Sequence, residues 1–201
     1  MRVEVARHAG ICYGVERALK LAEEAAESGA PVRTLGPLIH NPQAVQALRD
    51  KGVEVAASLE DASEGTLVIR SHGVSPAIIA AAGEKGLDVV DATCPFVRKA
   101  HEAAEVLVAE GYTLVIVGEP DHPEVEGIVA HAGGAALVVE DVADLPATLG
   151  TRRVGVVVQT TQSAERLAEI VEALLPRCTD LRVINTICSA TAKRQEAAHE
   201  L

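Results

Sequence analysis

Val89-Val90-Asp91-Ala92-Thr93-Cys94-Pro95 is the stretch on which the fold turns. A β-branched pair running into a short polar turn reads as a buried strand leaving a sheet, and Pro95 stands where a helix takes its first residue. Cys94 therefore lies between a strand end and a helix start. Val183-Ile184-Asn185-Thr186-Ile187-Cys188 repeats the pattern 94 residues later, and Lys99 then falls on Lys193. Cys12 precedes Cys94 by 82 residues, and His40 precedes His122 by the same interval. Gly36-Pro37-Leu38-Ile39-His40-Asn41-Pro42 shifted by that interval lands on Gly118-Glu119-Pro120-Asp121-His122-Pro123-Glu124, and Leu59-Glu60-Asp61-Ala62 resembles Val139-Glu140-Asp141-Val142. A recurring period of this kind marks a repeated supersecondary unit.

Strands are expected at 2–6, 32–35, 53–56, 66–70, 87–91, 112–117, 136–139, 153–158 and 181–185. Helices are expected at 14–28, 42–51, 75–85, 95–110, 123–131, 162–175 and from about 189 to the end, where apolar residues recur three or four apart. Gly52, Gly86 and Gly111 punctuate helix ends. Strand and helix alternate throughout, which is the pattern of an α/β fold with a mostly parallel sheet. The chain divides into two full repeats, 1–92 and 93–186, with 187–201 beginning a third.

The chain has 201 residues, a net charge of −11 and three aromatic residues, Tyr13, Phe96 and Tyr112. It lacks the basic field and the stacking surfaces that nucleic-acid binding uses. Its longest apolar runs, such as 112–117 and 154–158, fall far short of the roughly 18 residues a spanning helix needs, and residues 1–15 have no signal-peptide core. A cytoplasmic protein without membrane or nucleic-acid partners is expected.

The four cysteines, Cys12, Cys94, Cys178 and Cys188, are far apart and contain no CxxC pair. A disulfide framework and a zinc ribbon are both disfavoured. Cys12, Cys94 and Cys188 each follow a strand and precede a helix, which is the sheet edge where α/β proteins bind ligands. The amides and dipole of a helix N-terminus favour a thiolate beside them. One cysteine at a tight turn means little, because small residues are welcome there. Three in equivalent places can converge on a pseudo-threefold axis. Three thiolates without a fourth suit a zinc ion with an open position, or an iron–sulfur cluster in which one iron has no protein ligand. Cys178, in Pro176-Arg177-Cys178-Thr179, has no such place and reads as a bystander.

The loops holding His40, His72 and His122 also follow strands and open helices. Imidazoles beside helix N-terminal amides make an anion site, and several around one cavity suit a diphosphate. His8, His101, His131 and His199 lack that context and read as structural or solvated. Glu124 is the candidate proton donor, although an acidic residue in a helix's first turn is ordinary in itself. Gln159-Thr160-Thr161-Gln162-Ser163 puts hydroxyls on the same edge and, taken alone, reads as a helix cap.

Taken together, several segments resemble the 4-hydroxy-3-methylbut-2-enyl diphosphate reductase family, which acts last in the non-mevalonate isoprenoid pathway. They are Ala9-Gly10-Ile11-Cys12-Tyr13-Gly14-Val15-Glu16-Arg17-Ala18, Ile39-His40-Asn41, Ser71-His72-Gly73-Val74, Asp91-Ala92-Thr93-Cys94-Pro95, His122-Pro123-Glu124-Val125-Glu126-Gly127, Gln159-Thr160-Thr161, and Asn185-Thr186-Ile187-Cys188-Ser189-Ala190-Thr191 with Arg194-Gln195. They span the whole chain in the family's order. The resemblance implies a trefoil of three αβα domains around a 4Fe-4S cluster held by Cys12, Cys94 and Cys188. It implies a diphosphate pocket lined by His40, His72 and His122, proton supply from Glu124, and a substrate hydroxyl placed by Thr160. It also implies a ferredoxin- or flavodoxin-type electron donor, and isopentenyl and dimethylallyl diphosphates as products. Ile11 stands where the family commonly has Phe, and Gln162 where Leu is usual. The chain is expected to stop inside a helix at Leu201, leaving out most of the third repeat and the family's Ser/Asn-rich diphosphate loop. Apolar faces would then be exposed. The alternatives are a non-catalytic iron–sulfur or zinc module and a hydrolase built on a three-cysteine zinc site.

Overall fold

The computed structural model describes residues 2–201, which fall into two compact units. One comprises Cys12–Arg98; the other joins the segment ending at Ile11 to Lys99–Leu201. Each is described by itself.

The first unit runs α1 (Tyr13–Ala26), β1 (Val32–Leu35), α2 (Pro42–Asp50), β2 (Val53–Ala56), β3 (Thr66–Ile69), α3 (Pro76–Glu84) and β4 (Asp88–Asp91). Its four strands are all parallel, in the order β2-β1-β3-β4. Strand side chains alternate between faces, so Val68 joins Ala18, Ala22, Val32, Leu48 and Val53 on one side. Leu67 and Ile69 join Leu35, Ala82 and Leu87 on the other. Covering both faces is what buries β3 along its whole length. Asn41 and Ser75 cap α2 and α3 through their side chains, each followed by a proline at the first turn.

The second unit contains α4 (Pro95–Ala109), which begins in the first unit. It continues with β5 (Thr113–Val117), α5 (Pro123–His131), β6 (Ala136–Val139), β7 (Arg153–Val158), α6 (Ala164–Leu174), β8 (Asp180–Val183) and α7 (Ser189–His199). Its strands are again parallel and ordered β6-β5-β7-β8, the same winding as the first sheet. Leu114, Ile116 and Val157 pack against α4 and α5, whereas Val115, Val117, Val156 and Val158 pack against α6. Gly155 allows α4 to lie close on β7, since a β-carbon there would sit 2.9 Å from Leu107 Cδ2.

Eight of the nine expected strands form. The segment 2–6 does not, and among the described residues no strand pairs with it. Its alternation of Val3 and Val5 has the right period, but a lone extended segment leaves its amides to water, and these valines are 70% and 77% exposed. The last helix closes at His199 with Glu200 at its C-cap, short of Leu201. No helix among the described residues is long and apolar enough to cross a membrane.

Candidate functional site

In both sheets the winding reverses at the first strand: β1 leads to β2 on one side, and β3 and β4 lie on the other. Loops part at the carboxyl ends on either side of such a reversal, and ligands bind there. In the first unit the hydrogen-bond ladder continues past the strands. Leu38 carbonyl accepts from Ser71 N (3.1 Å) and Ser71 Oγ (3.0 Å), and Ser71 carbonyl accepts from Cys94 N (2.9 Å). Three strand-exit loops are thereby tied side by side. His40 and His72 leave two of them with ring centroids 4.4 Å apart and planes tilted 40°. His40 is exposed and His72 half-buried.

Cys12 is the N-cap of α1, and its carbonyl accepts from Glu16 N at 2.9 Å. Cys94 directly precedes α4, its carbonyl accepting from Arg98 N at 2.9 Å. Between the two thiols lies Gly14. A β-carbon on Gly14 would fall 2.4 Å from Cys94 Sγ and 3.9 Å from Cys12 Sγ. The bare glycine is a cradle for sulfur, and soft thiolates flanking it fit iron–sulfur or zinc ligation. Gly14→Ala is expected to push the Cys94 thiol aside and to cut iron uptake. Alanine favours a helix by about 1 kcal/mol over glycine, so helix content will not fall. Metal analysis beside circular dichroism checks this; unchanged iron in the variant would count against the cradle.

In the second unit His122 is the N-cap of α5, and its Nδ1 accepts from Glu124 N at 3.1 Å. With Nδ1 accepting, the neutral ring carries its proton on Nε2 and presents a donor there. Glu124 is 2% exposed. Its carboxylate accepts from Thr160 N (2.6 Å) and Thr160 Oγ1 (2.9 Å). Burial raises the Glu124 pKa above the ordinary glutamate value, with the two Thr160 hydrogen bonds pulling the other way. Thr160 carbonyl accepts from Cys188 N at 3.0 Å, so the acid is two links from the cysteine backbone. Cys188 is buried and caps α7.

Thr160 thus serves Glu124 and does not cap α6; Ser163 is the cap, accepting from Arg166 N. Gln159 stands in the sequence only as part of the Gln159-Thr160-Thr161 segment, with no role of its own assigned there. It is buried, its Oε1 accepts from Glu119 N (2.9 Å) and its Nε2 donates to Thr161 Oγ1 (3.1 Å), which braces the loop before His122. Its local signal is a polar residue set directly after the apolar run 154–158 that ends β7. Cys178 lies apart from this edge after α6, with Sγ donating to Leu174 carbonyl at 3.3 Å. His131 bonds Glu105 through Nδ1 at 2.6 Å and stacks on buried His101 at 4.1 Å.

The model of the LytB protein family matches residues 3–201. The 4-hydroxy-3-methylbut-2-enyl diphosphate reductase of Geotalea uraniireducens is 48% identical over the whole chain, which spans 71% of that protein. The reductase of Geobacter sulfurreducens is 50% identical at the same coverage. A solved (E)-4-hydroxy-3-methyl-but-2-enyl diphosphate reductase, described as the terminal enzyme of the non-mevalonate pathway, superposes with a TM-score of 0.86. It is 46% identical, with 99% of this chain and 72% of that one covered. The Plasmodium falciparum reductase superposes equally well at 32% identity, covering 96% of this chain and 62% of that one. With the family pattern running through both parallel sheets and every strand-exit loop just described, this chain belongs to the LytB family.

Proposed function

We propose that this chain performs the chemistry of 4-hydroxy-3-methylbut-2-enyl diphosphate reductase: removal of an allylic hydroxyl as water, giving isopentenyl and dimethylallyl diphosphates. The family is an iron–sulfur one, and we assign Cys12, Cys94 and Cys188 as ligands of a 4Fe-4S cluster. The Gly14 cradle and the helix-capping places of Cys12 and Cys188 support this assignment. When bound, the cluster supplies single electrons and a Lewis-acidic iron. In balance, one C–O bond breaks, one C–H bond forms, and two electrons and two protons are consumed with release of one water. A reduced ferredoxin- or flavodoxin-type protein is the electron source.

The chain's own residues bind, orient and protonate. His40, His72 and His122 donate to the diphosphate. Thr160 orients the substrate hydroxyl and holds the Glu124 carboxyl in place. Glu124 supplies the proton, since burial raises its pKa and so favours the protonated carboxyl that can act as an acid. The observation that carries this reading is the Glu124–Thr160 pair, whose backbone bonds directly to that of Cys188. We read 1–92 and 93–186 as two copies of one α/β unit and 187–201 as the start of another, supported by the identical winding of the two sheets. Four cysteines without a disulfide agree with a reducing, cytoplasmic setting.

Anaerobic reconstitution with iron and sulfide tests the assignment. A broad brown charge-transfer absorption is expected, followed by consumption of the hydroxymethylbutenyl diphosphate when reduced methyl viologen is supplied. Stoichiometric zinc without iron would overturn the cluster. A loaded cluster whose electron paramagnetic resonance ignores the substrate would overturn the reductase reading.

A further inference from the structure

Two arginines outside the machinery above make the same kind of contact in different units. Arg17, on α1 five residues after Cys12, donates from Nη1 to Thr93 carbonyl (3.3 Å) and from Nη2 to Asp91 carbonyl (3.5 Å). Thr93 immediately precedes Cys94. The same short loop is fixed from its other side: Asp91 Oδ1 accepts from Thr93 N (2.8 Å) and Asp91 Oδ2 from Arg98 Nη2 (2.7 Å). These bonds and the Arg98 charge hold the Asp91 carboxyl below the usual aspartate range against its partial burial, so it stays ionised for the role. Arg194, on α7 six residues after Cys188, donates from Nε to His8 carbonyl (3.2 Å) and from Nη2 to Gly10 carbonyl (2.8 Å). Gly10 stands two residues before Cys12.

The geometry points to Arg17 and Arg194 as positioning residues for the cysteine ligands, a reading that rests on the cluster assignment above. Each guanidinium springs from the helix opened by one cysteine and grips two carbonyls of the loop that delivers another. The order is Cys188 to Cys12 through Arg194, and Cys12 to Cys94 through Arg17. A planar fork with several fixed donors can chelate two carbonyls at once, which an ammonium on a flexible stem does not reproduce. The need for a grip is plainest at Arg194. His8 has φ of 63° and Gly10 has φ of 112°, so this loop adopts a left-handed backbone that a histidine does not favour by itself. The surrounding bonds must hold it. Both sequence separations, 74 and 76 residues for Arg17 and 184 and 186 for Arg194, tie distant parts of the chain to a ligand loop.

The test uses Arg17→Met and Arg194→Met, which keep the stem and remove the donors, beside Arg17→Lys and Arg194→Lys. After anaerobic reconstitution, each Met variant is expected to release iron to a ferrous chelator about 10–100-fold faster than wild type, the usual cost of losing an outer-shell partner. The reduced-cluster resonance should broaden, and the Lys variants should recover only part of the retention. Thermal melts of the apo proteins identify any variant that has simply unfolded; for such a variant the Lys form carries the comparison. Amide exchange on the apo chain supplies a readout that needs no iron. Arg17→Met should speed exchange at 91–94 and spare 8–11, and Arg194→Met should do the reverse. Unchanged iron release in both Met variants overturns the inference, as does exchange that rises equally at both loops. If wild type takes up no iron while the exchange pattern swaps as expected, the cluster assignment fails and the loop grip stands.

Discussion

Replacing Glu124 by Gln will lower turnover by about 10²–10⁴-fold, the range a positioned general acid contributes, while iron content and the cluster resonance stay as in wild type. The substitution is nearly isosteric. Gln Oε1 can still accept from Thr160 N, and its Nε2 can donate to Thr160 Oγ1, so both contacts that hold Glu124 can persist, the second with its direction reversed. What is lost is the transferable proton. A variant with iron intact and turnover within a few-fold of wild type would remove Glu124 from the proton path.

The same pair predicts a pH dependence with a definite sign. Burial raises the Glu124 pKa in the folded chain above its unfolded value, so the folded state prefers the neutral acid. The stability gained from that preference is complete below the unfolded pKa and is lost as pH rises through the folded one. Wild type should therefore lose stability relative to Glu124→Gln as the medium becomes less acidic, and the two should converge again in acid. Because the variants differ in one titrating group, the difference between their melting curves isolates it. Melts of the apo proteins across pH measure this; a gap that widened on acidification would mean that the Thr160 bonds outweigh burial.

Cys12→Ala, Cys94→Ala and Cys188→Ala will each abolish the charge-transfer absorption and the reductase activity together, whereas Cys178→Ala will leave both intact. The contrast is informative because the side chains of Cys12 and Cys188 make no capping hydrogen bond to their helices. Removing those thiols takes away a ligand with little cost to the cap, so loss of iron cannot be assigned to a frayed helix. Cys178 differs in surroundings as well as place. Its thiol is pushed up by burial and by the nearby Asp180, so it stays a neutral thiol, bonded to the Leu174 carbonyl. Iron analysis on the four variants, with circular dichroism to verify folding, decides the matter. Retention of iron in any one of the first three would show that its cysteine is not a ligand.

The elements that were legible in the sequence are those specified by neighbours along the chain. Asn41-Pro42, Ser75-Pro76 and His122-Pro123 announce helix starts through capping side chains and proline's fixed φ, and helices begin there. Gly52, Gly86 and Gly111 have φ of 89°, 78° and 81°, the left-handed values that end a helix, and helices end just before them. The segment 2–6 has the period of a strand and fails as one, because alternation describes faces and says nothing of whether a partner strand is at hand.

The sequence by itself determined the alternation of strand and helix, the internal repeat, and the placing of Cys94, Cys188 and three histidines after strands, since each rests on local pattern. Cys12, expected after a strand, opens α1 with no strand before it among the described residues, because 2–6 finds no partner. Only the tertiary structure decided that Glu124 is buried beside Thr160, 36 residues away, and that Arg17 and Arg194 reach the loops before Cys94 and Cys12. An acidic residue in a helix's first turn looks the same in sequence whether it faces water or a neighbouring strand exit. The order in which the parallel strands are laid side by side, which local pattern does not encode, settles which it faces.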